Sequence, residues 1–224
     1  MTRPGLTIAP EPPDLAEELP GTSLDAATIE NGDSWSHVRL ADASLPELRA
    51  TGLSFREAAL ARVDLTGGRL INLSFADVDL DTCSLTTIDA RSASMLRVTA
   101  HGCRMTGLLW TEGALRDVVV RDCAIDLASF AASRIEQVVF ERCNLRQSDF
   151  QDAELRGVRF VDCDLSEADL SGARLAFCEL QDCRLDGLRG AQSLRGAAMP
   201  WADIVAAAGL FAGALGVRVL DPAD

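Results

Sequence analysis

The 224-residue sequence has no lysine and no tyrosine, two histidines, and only 5% aromatic residues. Every base is therefore arginine, a bias that reads as codon usage and carries no mechanism. Long apolar runs are also missing. The longest, Ile204 to Leu215, falls far short of the roughly 20 residues a membrane helix needs. The N-terminus shows no basic-then-apolar signal pattern, so no membrane association and a cytoplasmic location are expected. Positive charge is scarce: 34 acids against 21 bases leave a net charge of −13. Direct binding to a nucleic-acid backbone needs a basic stripe that displaces counterions, so it is not expected. There is no glycine loop of the phosphate-cradling kind. No histidine stands beside a serine or cysteine in a nucleophile arrangement.

What is present is a period of five. From Leu40 to Leu185 every fifth residue is apolar across thirty positions. At 48% apolar content chance would produce this on the order of once in 10⁹. Two residues before each of these lies a second slot with no charged occupant, which holds all seven cysteines: Cys83, Cys103, Cys123, Cys143, Cys163, Cys178 and Cys183. Six of the seven are spaced by 20. Two inward residues around one outward residue make a minimal strand, and the next inward residue comes three later, so a turn must intervene. Four such corners close a square and stack residues 20 apart on neighbouring coils. The copies DVVVRDC (117–123), QVVFERC (137–143) and GVRFVDC (157–163) repeat at that distance. The large residue fills the axis, while the preceding slot favours small apolar fillers, the thiols among them. Leu48, Leu53, Leu73, Ile88 and Leu108 are bulky for that slot and predict less regular coils in the first half.

Stretches such as ADLSG (168–172) and CNLRQ (143–147) match the pattern of small residue, Asp or Asn, Leu, then two free positions. The sequence over roughly 36–187 thus resembles the pentapeptide repeat family. The resemblance implies an all-β solenoid, a right-handed quadrilateral β-helix, with a C-terminal capping α-helix. Three segments are expected: an acidic, largely disordered N-terminal tail with a cap over 1–33, the β-helix over 34–187, and a C-terminal cap or dimerisation helix over 188–224. Five of eight prolines and seven acids fall in residues 1–33, with one arginine and no pentad phase. Leu24, Ile29 and Trp35 are suited to the N-terminal cap, since an open coil end exposes apolar core and unpaired backbone. The phase breaks after Asp186, at LRGA (188–191). Pro200 then suits a first helical turn and Gly216 a stop, with a short strand after it over 217–220. Trp201, Ile204, Val205, Ala208, Phe211, Ala212 and Leu215 would share one face. Two readings of that face stay open: a lid on the last coil, or the joint of a homodimer through the C-terminal end, as the resemblance to quinolone-resistance members implies.

A filled square solenoid offers no cavity for converging catalytic groups. His37 and His101 take outward positions, and the cysteine column has no histidine to complete a ligand set. Hence no catalytic residue, cofactor or metal is expected, and the protein is read as non-enzymatic. The remaining candidate is surface charge. Residues 149–186 hold ten acids and four arginines, net −6, whereas 36–148 hold 14 acids and 13 arginines, net −1. Ten acids form the candidate partner surface: Asp149, Asp152, Glu154, Asp162, Asp164, Glu167, Asp169, Glu179, Asp182 and Asp186. The resemblance to Qnr and MfpA type members implies a B-DNA mimic that binds DNA gyrase or another type II topoisomerase. The alternative is a scaffolding solenoid whose acids keep it in solution. Outward apolar residues Leu109, Val119, Leu127, Val139, Val161 and Phe177 suggest a contact patch for a partner or for the N-terminal segment folding back.

Overall fold

Positive φ recurs at every fifth residue from Gly32 to Gly187, and this residue turns the chain. Most of these corners are not glycine, although for other residues the left-handed region is uncommon. Seven of them are Asp, whose short polar side chain tolerates that conformation best. Many of the turns are type II: Gly68 N–H donates to Leu65 O at 3.1 Å with Gly67 at φ 71°. The structure, a computed structural model, describes residues 8–218.

Along one edge the chain turns without leaving the sheet. Seven eight-residue strands, β2 (Ser34–Ala41), β4 (Ser54–Ala61), β6 (Ser74–Asp81), β7 (Ser94–His101), β8 (Ala114–Arg121), β9 (Arg134–Glu141) and β10 (Glu154–Val161), bend at a left-handed residue in mid-strand. Shorter strands are β1 (Gly21–Thr22), β3 (Arg49–Thr51), β5 (Arg69–Ile71), β11 (Arg174–Ala176) and β12 (Glu179–Gln181). The main sheet runs β1-β2-β4-β6-β7-β8-β9-β10-β11, with β12 also on β10, and all pairing is parallel. From β2 onward each residue pairs with the one 20 later, as in Phe55↔Phe75 and Val118↔Val138. β3 and β5 pair on another wall, and single bridges such as Ser44↔Asp64 and Asp89↔Leu109 join the remaining turns. The result is the expected β-solenoid, of about eight turns.

The axis is filled by one continuous apolar cluster from Leu40 to Leu194. In the later coils two phenylalanine columns interlock. Phe130 stacks on Phe150 and Phe140 on Phe160, each at 5.2 Å, while Phe130 meets Phe140 edge-on at 6.5 Å. Such offset and edge geometries suit the ring quadrupoles.

The expectation of irregular early coils is corrected. Leu48, Leu53, Leu73, Ile88 and Leu108 are all buried, and the 20-residue register does not vary from β2 to β10. Volume is balanced locally: Gly68 stacks between Leu48 and Ile88, and Ala50 and Ala90 follow those two residues on the axis. Gly113 plays the same part for Trp110, since a Cβ there would lie 2.5 Å from the Trp110 ring.

Both ends are covered. Trp35 stacks on Phe55 at 4.9 Å, with Leu24 and Ile29 partly buried against the core. At the far end a 3₁₀ turn, Ala191–Leu194, buries Ala191 and Leu194. The single expected helix is two, α1 (Trp201–Ala206) and α2 (Ala208–Ala214), parted at Ala207, whose N–H is shared between Asp203 O and Val205 O. Ala207, Leu210 and Phe211 pack on the core. Val217 and Arg218 have no regular structure, and the rest of the expected strand lies outside the described residues. Among the described residues no helix is long and apolar enough to cross a membrane.

The expectation of a largely disordered tail is corrected for its described part. Ile8 is buried, Glu11 N–H donates to Asp117 Oδ1 at 3.4 Å, and Asp14 N–H donates to Asp77 Oδ1 at 3.1 Å. Composition missed this because the segment's partners are two nearly buried carboxylates on the coils, which require donors.

Candidate protein-binding surface

Acids fall at three kinds of position: just before an axial residue, on the left-handed corner itself, and just after an axial residue, as Asp186 does. The first kind works for the fold. Asp149, Asp164 and Asp169 accept the backbone N–H two residues on, from Gln151 at 2.8 Å, Ser166 at 3.0 Å and Ser171 at 2.8 Å. Each is an Asx turn that organises the next corner. Asp169 is buried and also meets Arg189 at 3.3 Å. Burial opposes ionisation of Asp164 and Asp169. The serine and backbone hydrogen bonds and nearby arginines outweigh it and hold both below the usual carboxylate range.

Three more of the ten acids are paired between coils. Glu154 meets Arg174 at 2.9 Å, Glu167 meets Arg146 at 3.0 Å, and Glu179 meets Arg159 at 3.0 Å. The same 20-residue pairing occurs lower down in Asp42 with Arg62, Asp77 with Arg97, and Asp122 with Arg142. Hydrogen bonds from those arginines are the main cause holding these three carboxyls below the usual range.

Asp152, Asp162, Asp182 and Asp186 differ. All four are exposed, and among the described residues none has an ion-pair partner. Asp162 and Asp182 stand one coil apart on a single corner column, which alternates Asp42, Arg62 and Asp122, Arg142 below but carries two successive acids here. Asp203, in the first turn of α1, accepts the Asp182 N–H at 2.7 Å and brings a further carboxylate to this end. The structure thus splits the sequence-selected acids into corner supports, inter-coil pairs and a small exposed group. Asp203 was not among the ten acids selected from the sequence: it lies 21 residues after Asp182, beyond the break in the pentad phase.

The C-terminal apolar residues divide as well. Phe211 and Ala212 are half-buried, whereas Trp201, Ile204, Val205, Ala208 and Leu215 are exposed, Trp201 at 77% and Leu215 at 82%.

The cysteine column stands where the spacing placed it. Cys83 to Cys163 are buried, and each thiol donates to backbone carbonyls, as Cys123 does to Arg121 O at 3.1 Å. Cys103 N–H donates back to Cys123 Sγ at 3.2 Å. Burial pushes the Cys178 thiol up, and the hydrogen bond with Cys163, with burial second, pushes Cys183 up. Among the described residues no cluster of three or more potential ligands is arranged to hold a metal ion. His37 meets Glu57, and His101 lies 3.4 Å from Asp81 and 3.5 Å from Asp122, all on the surface.

The family model described as a pentapeptide repeat region matches residues 93–170. The matched span lies within the coils that share the five-residue corner period and the 20-residue register, so over it the solenoid is a pentapeptide repeat region. Among solved structures the chain is similar to HetL, a pentapeptide repeat protein involved in heterocyst differentiation regulation in Nostoc sp. strain PCC 7120, at 19% identity and TM-score 0.43, over 76% of this chain and 91% of that one. A trypsin-treated variant of QnrB1, a plasmid-mediated fluoroquinolone resistance protein, is similar at 15% identity and TM-score 0.38, over 91% and 100%. Rfr23 from the cyanobacterium Cyanothece 51142 gives 12% identity and TM-score 0.20, over 76% and 91%. At these TM-scores the three carry no argument about function. No curated protein matches the chain.

Proposed function

We propose that this solenoid is a protein-binding module without a catalytic role, which acts in the cytoplasm and docks its acidic end on a basic groove that otherwise accepts DNA. DNA gyrase is the specific partner we name. The observation that carries the reading is the unpaired Asp162–Asp182 column with Asp203 beside it, while the exposed Asp152 and Asp186 stand on other sides of the same end. Duplex DNA carries one charge per about 1.7 Å. Residues 149–186 carry net −6 over two coils, roughly 9 Å at about 4.8 Å per coil, a comparable density. The exposed Trp201, Val205 and Leu215 on the cap support a second copy docking end to end, which would join two acidic ends into one negative saddle.

A gyrase supercoiling assay tests the reading. Inhibition or drug protection is expected below tens of micromolar, weakening as salt is raised. Asp162→Asn with Asp182→Asn should abolish most of it while leaving the circular dichroism unchanged. No effect at tens of micromolar removes gyrase mimicry. A monomeric mass by light scattering at that concentration removes the dimer. A second reading, a scaffold with no DNA mimicry, is favoured by the inter-coil ion pairs that neutralise the lower coils.

A further inference from the structure

Residues 8–14 read Ile-Ala-Pro-Glu-Pro-Pro-Asp, a composition that favours polyproline II, which rises about 3.1 Å per residue with three residues per turn. Three residues therefore advance about 9.3 Å, and two coils of the solenoid span about 9.6 Å at about 4.8 Å each. The two repeats are commensurate, and the contacts follow that step. Glu11 N–H donates to Asp117 Oδ1, and three residues later Asp14 N–H donates to Asp77 Oδ1, two coils down. Continuing the step places Ile8 at the level of Gly157, where the corner has no side chain. Ile8 is 4% exposed and Gly157 is buried.

The receiving column is built for this. Asp77 and Asp117 are 5% and 8% exposed. Asp77 is oriented by Arg97, whose Nε and Nη2 donate at 2.6 and 2.7 Å, and Arg116 lies 3.5 Å from Asp117. Ala9 and Glu11 line an open cleft with Arg116, Glu136, Gln137 and Arg156. Below the strap, Pro20 O accepts the Arg39 N–H and β1 joins the sheet, so both ends of the segment are held.

We infer that the Asp77–Asp117–Gly157 corner column is a docking track for extended, proline-bearing peptide segments that present a backbone N–H at every third residue, and that residues 8–14 occupy it in cis. The track meets the acidic coils only at Gly157, one corner before Asp162, and does not depend on the function proposed for them. Tethering gives the strap a high effective concentration, so a segment of the same chemistry on another protein binds only when the strap is freed.

The test uses the full chain with a protease site inserted between the exposed Glu17 and Glu18. A fluorescent peptide of residues 5–17 is titrated against cut and uncut protein by anisotropy. The peptide should displace the severed strap from cut protein, at least tenfold more tightly than it binds uncut protein. A peptide N-methylated at Glu11 and Asp14, which keeps every side chain but loses both donors, should bind at least tenfold more weakly. Failure of the peptide to bind cut protein at a hundredfold excess, equal binding of the methylated peptide, or loss of the solenoid's circular dichroism on cleavage would each overturn the inference.

Discussion

Gly113→Ala is the sharpest probe of how this core is packed. The added Cβ would stand 2.5 Å from Trp110 Cδ1, 2.6 Å from its Nε1 and 2.8 Å from Ala93 O. Ordinary contact begins near 3.4 Å, so the indole or the neighbouring coil must give way by most of an ångström. Trp110 is fully buried, and the Ala93 carbonyl is tied to Ala114 N–H at 2.9 Å, so neither can move freely. Overpacking of this kind costs about 1–3 kcal/mol, and the backbone contact argues for about 2–3 kcal/mol here. For a chain of this length that lowers Tm by about 4–12 °C. Indole fluorescence during urea unfolding follows the loss at Trp110 once the two other tryptophans, Trp35 and Trp201, are replaced by Phe. Trp110→Leu should also destabilise, because it leaves a cavity. The double variant should recover at least about 1 kcal/mol of the sum, since the smaller side chain admits the new methyl group. Strict additivity of the two changes would refute the account of Gly113 as space reserved for the indole.

Three further outcomes are expected. Phe140→Ala removes a ring packed between Phe130 and Phe160 and should cost about 3–5 kcal/mol, read by thermal unfolding. Asp42, Asp77 and Asp122 have depressed folded pKa values, so their contribution is complete above the unfolded value near 4 and is lost as pH falls through the folded values. Tm should therefore hold steady from neutrality to about pH 5 and drop below about pH 4, and a drop starting near pH 6 would contradict this assignment. Iodoacetamide under native conditions should label Cys183, which is half-buried, before the six buried thiols, with peptide mass spectrometry reading the order. Equal labelling of Cys123 would show that the column opens.

The period of five was sufficient to place the axial residues, the cysteine column and the 20-residue coil, because each is a local consequence of one corner per pentad. Leu48 and Ile88 were misread from sequence as signs of irregularity. Their fit depends on Gly68 stacked between them, and volume is shared between coils rather than along the chain. The ten acids looked alike for a similar reason. Spacing marks Asp149, Asp164 and Asp169 as preceding an axial residue. Their engagement in turns, and the pairing of Glu154, Glu167 and Glu179 with arginines 20 or 21 residues away, appear only when the coils are stacked. The docked strap lay furthest from view: its proline composition marked an extended segment, but its seat needs Asp77 and Asp117, 63 and 106 residues from the donors they receive. Local pattern alone sets a repeating cross-section, since one-dimensional order repeats the same short-range sterics. The use of each surface charge, the break at Ala207 and the path of residues 8–14 were decided by tertiary structure, because they depend on distances between coils and across them that no local pattern encodes.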